Sequence, residues 1–125
     1  MPKKARQHRL PGDAYSAKIH ARLWIIGENR QYYLGVGKVR LMELIDELGS
    51  ISQAAKVLDM SYKRAWTLIE EVNQLTHHPF VVKEVGGAGG GHATLTDAGR
   101  AAIAQYRSLE ADLSAFLKAR GAQLG

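Results

Sequence analysis

No cysteine occurs in the 125 residues. A disulfide framework and a thiolate zinc site are therefore excluded. No apolar run approaches the ~20 residues needed to cross a bilayer. The opening residues are basic but no apolar signal segment follows them, so a cytoplasmic protein is expected. Acids, histidines and hydroxyls are scattered without a spacing that pairs a nucleophile with a base, and we expect neither an enzyme nor a cofactor. The adjacent His77 and His78 stand alone, with no further His or clustered acids at ligand spacing, and read as a surface loop rather than a metal site. The length suits one domain with one modest core.

Positive charge is what the chain has in excess, a formal +5. It is concentrated at one end. Residues 1–22 hold Lys3, Lys4, Arg6, Arg9, Lys18 and Arg22 against Asp13 alone, and the rest of the chain balances at 11 basic and 11 acidic residues. Residues 1–17 therefore read as a basic, flexible arm rather than as part of a charged body. Such an arm suits contacts to phosphates and would add a salt-dependent term to binding. A solvated tail is the competing reading.

The stretch Gly49–Leu75 has the pattern of a helix-turn-helix. Ser50-Ile51-Ser52-Gln53 is a Ser-x-x-Gln capping box. Ile51, Ala54, Ala55 and Leu58 follow at helical spacing, and the two alanines allow a second helix to come close. Asp59-Met60-Ser61 breaks the pattern, and Ser61 is a good cap for a helix over 62–75. Ala65, Leu68, Ile69, Val72 and Leu75 share one face of that helix. Lys63, Thr67, Glu70 and Gln74 lie opposite, with Arg64 and Trp66 on the flanks. In a helix-turn-helix the first residues of the second helix meet base edges in the major groove. Ser61, Tyr62, Lys63, Arg64 and Thr67 are placed for this. An ordinary helical hairpin with a solvated polar face is the bland alternative. Trp66 is expected at the rim of the buried face, either packing there or setting the following hairpin against the helix.

Upstream, Ile19, Ala21, Leu23 and Ile25 alternate with Lys18, His20, Arg22 and Trp24, a strand period. Gly27-Glu28-Asn29-Arg30 reads as a turn and Gln31–Leu34 as the returning strand. The next helix buries Leu41, Leu44, Ile45 and Leu48, leaves Lys38, Arg40, Glu43 and Glu47 outside, and ends at Gly49. Downstream, Phe80–Val85 and His92–Leu95 read as the strands of a hairpin, a wing over 80–95, joined by Gly86-Gly87-Ala88-Gly89-Gly90-Gly91. This loop does not fit a nucleotide cradle. Its spacing fails at His92, no Gly-Lys-Ser/Thr follows, and a strand comes next instead of a helix. Glycines without side-chain bulk suit close approach to a DNA backbone.

Thr96 and Asp97 open the last helix, which runs to about Arg120. Ala102, Tyr106, Leu109, Leu113 and Phe116 form a seam about two heptads long. Part of the seam is expected on the body of the domain. Its distal part, with Leu117, has no local partner in so short a chain, and a second copy is the simplest cover. Two copies would set two recognition helices about one DNA turn apart on a pseudo-palindromic site.

The run Gly49–Lys56, then Met60-Ser61-Tyr62-Lys63-Arg64-Ala65-Trp66, then Asn73-Gln74-Leu75, resembles the N-terminal domain of the molybdate-responsive regulator (ModE) family. The glycine run 86–91, followed by Ala93-Thr94-Leu95-Thr96 and Gly99, is similar to that family's wing. The resemblance covers about Trp24 to Phe116. It implies a LysR-like winged helix-turn-helix with a long dimerisation helix, and DNA binding by the helix starting at Ser61 and by the wing. Family members continue into C-terminal oxyanion-binding domains. These 125 residues are expected to lack them, so no molybdate-binding residue is carried over.

The expected fold is thus mainly α with small β-hairpins: a winged helix-turn-helix over 18–96 and a dimerisation helix over 97–125. The expected function is transcriptional regulation by a homodimer on double-stranded DNA, with the effector unspecified. Lys63, Arg64 and Thr67 are the base-edge candidates, and Ser61 and Tyr62 serve bases or phosphates. Ser52, Gln53, Lys56, Lys83, Gly89, Gly90, Gly91 and His92 are the phosphate candidates. Tyr106, Leu109, Leu113, Phe116 and Leu117 are the dimerisation candidates. Two other classes stay open: an anion or small-molecule sensor, with molybdate among the candidate ligands, which would show a ligand-induced rise in melting temperature; and a protein-interaction winged helix, which would lack the steep salt slope of counterion release.

Overall fold

A computed structural model describes residues 21–28, 30–84 and 92–122. In chain order these form β1 (Ile25–Ile26), β2 (Tyr33–Leu34), α1 (Val36–Leu48), α2 (Ile51–Val57), α3 (Tyr62–Val72), β3 (Val81–Lys83), β4 (Ala93–Leu95) and α4 (Asp97–Ala122). The fold is mainly helical with two antiparallel hairpins, β1–β2 and β3–β4, and it is a winged helix-turn-helix. Residues 24–106 make one compact unit, and the described residues 21–23 and 107–122 belong to another. The expected arm over 1–17 and the glycine run 86–91 lie outside the described residues.

Among the described residues the first hairpin is shorter than the alternation predicts. Residues 21–26 do alternate between half-buried and exposed, but among the described residues only Ile25 and Ile26 pair, with Leu34 and Tyr33 respectively. Sequence alternation reports which side faces inward; it does not report whether a partner strand runs alongside. The turn is closed by the Gly27 amide donating to the Tyr32 carbonyl at 2.9 Å.

Helix α1 ends where glycine is required. Gly49 has φ 69°, and its amide donates to the Ile45 carbonyl at 2.7 Å. This is the left-handed C-terminal stop that a Cβ disfavours. Its buried side holds Val39, Leu41, Met42, Leu44 and Ile45. Lys38 corrects the sequence reading. It is expected outside but is buried, with its ammonium 2.9 Å from the Glu71 carboxylate and donating at 2.9 Å to the Tyr33 carbonyl. A lysine that finds an acid and a carbonyl can sit where an unpaired one could not.

Both serine caps of the helix-turn-helix form, while among the described residues the Gln53 side chain does not return the bond that would complete a capping box. The Gln53 amide donates to Ser50 Oγ at 3.2 Å, and the Arg64 amide to Ser61 Oγ at 3.0 Å. Between α2 and α3, Asp59 takes φ 54°, and the Met60 amide reaches the Ala55 carbonyl at 3.0 Å. An aspartate tolerates this left-handed turn better than most side chains. Ile51, Ala54 and Ala55 of α2 and Ala65, Leu68, Ile69 and Val72 of α3 supply the centre of the core.

Helix α3 stops at Val72, not at Leu75 as the apolar period predicts. Leu75 is still buried, so its spacing is that of the core while its backbone has left the helix. Next to Val72 comes Asn73. Its Oδ1 accepts from the amides of Phe80 and Val81, both at 2.9 Å, and its Nδ2 donates to the Val81 carbonyl at 2.8 Å. One side chain thereby ties the end of α3 to the start of β3.

Helix α4 begins at a shared junction. Thr96 Oγ1 caps the Gly99 amide at 3.0 Å and donates to the Pro79 carbonyl at 2.7 Å. Gly99 lies so close to the chain that an added Cβ would stand 2.3 Å from the Phe80 carbonyl oxygen. Arg100 reaches Asp46 of α1 at 3.1 Å. Tyr106 is 1% exposed. Farther along α4, Leu109 and Phe116 are exposed and Leu113 is half-buried, whereas Leu117 is only 7% exposed in the single chain. The sequence reading leaves Leu117 without cover; within one chain it is already covered. Among the described residues no helix is long and apolar enough to cross a membrane.

Candidate nucleic-acid interface

The surface of interest is built on α3 because that helix has one strongly apolar side and one polar side. With Ala65, Leu68, Ile69 and Val72 buried, geometry forces Ser61, Tyr62, Lys63, Arg64, Thr67 and Glu70 outward, and all six are exposed. The Ser61 cap satisfies one amide of the first turn and leaves the helix start open to solvent. The Thr67 hydroxyl is turned back onto the Lys63 carbonyl at 3.0 Å. It must release that bond before it can donate elsewhere, though its oxygen can still accept. The Tyr62 ring lies 6.0 Å from the Trp66 ring.

The ion pairs formed elsewhere leave the cations of this surface out. Lys38, Lys83 and Arg100 are held by Glu71, Glu70 and Asp46. Lys56, Lys63 and Arg64 are exposed and have no ion pair among the described residues. The two helices of the helix-turn-helix thus carry three exposed cations with no acidic partner among the described residues.

The remaining candidates are placed as follows. Ser52 is half-buried, its hydroxyl 3.1 Å from that of Ser50, and Gln53 is exposed on α2. His92 is exposed and forms a β-bridge with Ser50, while the Ala93 amide donates to the Gly49 carbonyl at 3.3 Å. The base of the second hairpin is therefore bonded to the turn that opens the helix-turn-helix. The hairpin itself pairs Val81 with Leu95, Val82 with Thr94 and Lys83 with Ala93. Gly89, Gly90 and Gly91 lie outside the described residues. Lys83 is the candidate that the structure sets apart: its ammonium sits 3.5 Å from the centre of the Trp66 ring and is ion-paired with Glu70. Trp66 is half-buried and meets the wing through this lysine.

Sequence reasoning missed Lys38, Glu71 and Asn73 as organising residues. A lysine four residues after a predicted strand, or an asparagine inside an apolar period, gives no local sign of a partner on another element.

The fold and this surface define a winged helix-turn-helix protein. No family model matches the chain, but curated relatives do. It is 46% identical over 80 residues to the molybdenum transport protein ModE of Azotobacter vinelandii, covering 64% of this chain and 30% of that protein. It is 40% identical over 84 residues to the molybdenum-pterin-binding protein MopB of Rhodobacter capsulatus, covering 67% and 31%. It is 46% identical over 69 residues to the DNA-binding transcriptional dual regulator ModE of Escherichia coli K12, covering 55% and 26%. Over this stretch the chain is similar to ModE regulators, consistent with an N-terminal ModE DNA-binding domain. The matches span under a third of the length of these relatives.

Proposed function

We propose that this chain is a transcriptional regulator that binds duplex DNA as a homodimer, with the start of α3 in the major groove and the β3–β4 wing alongside. The observation that carries this reading is the unpaired set Lys56, Lys63 and Arg64 on the two helices of the motif. Cations left without acids suit a polyanion, and the first turn of the second helix is the part that reaches base edges in this motif. A relative named as a DNA-binding transcriptional regulator supports the same reading. Lys63, Arg64 and Thr67 are assigned to base edges, and Ser61 and Tyr62 to bases or phosphates. Ser52, Gln53, Lys56, His92 and the glycines 89–91 are assigned to the phosphate backbone. The homodimer is supported by Leu109 and Phe116, large apolar side chains left exposed on α4. The class of effector is left open.

Selection of bound duplexes from a random pool tests the reading. A symmetric motif with two half-sites about one turn apart is expected. Lys63→Ala and Arg64→Ala should each relax one position of that motif and cost roughly 1–3 kcal/mol, whereas Lys56→Ala should weaken all sequences and lower the salt slope by about 0.9. No enriched motif, with all three variants equal to wild type, would refute it.

A further inference from the structure

Trp66 and Glu70 are four residues apart on α3 and so lie one above the other on its surface. Lys83, the last residue of β3, meets both. Its ammonium stands 3.5 Å from the centre of the Trp66 ring and is ion-paired with the Glu70 carboxylate. The lysine side chain is 17% exposed and the glutamate 48%. An ion pair this open contributes little by itself. The indole face beneath the ammonium changes the balance, because a cation over tryptophan is attracted to the ring while its aliphatic stem covers apolar surface. The two contacts fix one point, and that point is the stem of the wing.

We propose that Trp66 and Glu70 hold Lys83 as a latch that sets the wing against the recognition helix. On the DNA-binding reading above, on which this inference rests, both are positioning residues: they govern affinity for a duplex without touching it. Lys83 is then spent inside the protein and makes no phosphate contact. The alternative, in which Lys83 turns outward to the backbone of a duplex, predicts a different pattern of variants.

The test is a double-mutant cycle of Glu70→Gln and Lys83→Met in the full chain. Affinity for the selected duplex is read across a salt series, and amide exchange of Val81–Lys83 is read in the free protein. The latch predicts that each single variant weakens specific binding about fivefold to tenfold, that the double variant is no weaker than either, and that the salt slope stays unchanged. Lys83→Arg, which keeps charge and can stack on the indole, should restore binding. Exchange at Val81–Lys83 should quicken in both single variants without DNA. The proposal is overturned by tighter binding of Glu70→Gln to the same extent with Lys83 or Met at position 83, since that would be a general charge effect. It is equally overturned if Lys83→Met lowers the salt slope by about 0.9, which would mark a phosphate contact. Should the wild type bind no duplex, the functional reading fails and the exchange data alone decide the latch: unchanged protection in both variants sinks it.

Discussion

Lys38 and Glu71 join the first helix to the last turn of the third, with 2.9 Å between ammonium and carboxylate. The same ammonium holds the Tyr33 carbonyl and lies 4.3 Å from the centre of that residue's ring. Three elements, β2, α1 and α3, thus converge on one charge. Lys38→Met would leave a carbonyl without its donor and a carboxylate without its counter-charge. Glu71 is 25% exposed and can recover part of its hydration. We expect a loss of about 1–3 kcal/mol in urea denaturation, with Lys38→Met/Glu71→Leu more stable than the single lysine variant, because an unpaired partner costs more than none.

Asn73 presents a sharper case, since its side chain serves two amides and a carbonyl at once. Asn73→Ala leaves the Phe80 and Val81 amides without acceptors at the junction of α3 and the wing. A destabilisation of about 2–4 kcal/mol is expected by denaturant titration. Amide exchange should be fastest at Phe80 and Val81, the two sites that lose a partner.

Gly99 is required by contact, not by backbone twist. A methyl group there would lie 2.3 Å from the Phe80 oxygen. Gly99→Ala must push α4 away from the chain before β3, and should lower stability by about 1–3 kcal/mol. A thermal melt of the variant beside Ala98→Gly tests whether space or helix propensity governs the site. Space predicts the larger loss at position 99.

The seam on α4 divides into two kinds of residue. Phe116 is 55% exposed whereas Tyr106 is 1% exposed. If α4 joins two copies, Phe116→Asp should shift sedimentation toward the monomer and leave the melting of the single chain nearly unchanged. Tyr106→Ala should instead destabilise each chain by roughly 3–5 kcal/mol, the range for emptying a large aromatic site. Equal sedimentation of wild type and Phe116→Asp would remove the distal seam from the assembly.

The parts that sequence reveals best here are those fixed by neighbours along the chain. Ser50 with Gln53, Ser61 with Arg64, and Thr96 with Gly99 are three-residue relationships, and each cap forms as its spacing implies. Gly49 ends α1 for an equally local reason. The polar side of α3 could be read because its apolar side is so regular. What stayed hidden depends on distant partners. Lys38 looks like a surface residue until Glu71 is placed opposite it, and Lys83 looks like a free cation until α3 brings Trp66 and Glu70 beneath it. The period of α3 continues to Leu75 because the core continues, although the helix itself ends at Val72.

The bridge between Ser50 and His92, with the Ala93 amide on Gly49, has a consequence for engineering. The hairpin is not a detachable module: its root is stitched to the corner from which α2 departs. A graft that imports a foreign wing must bring a compatible corner with it, or the transplanted strands will lose their footing.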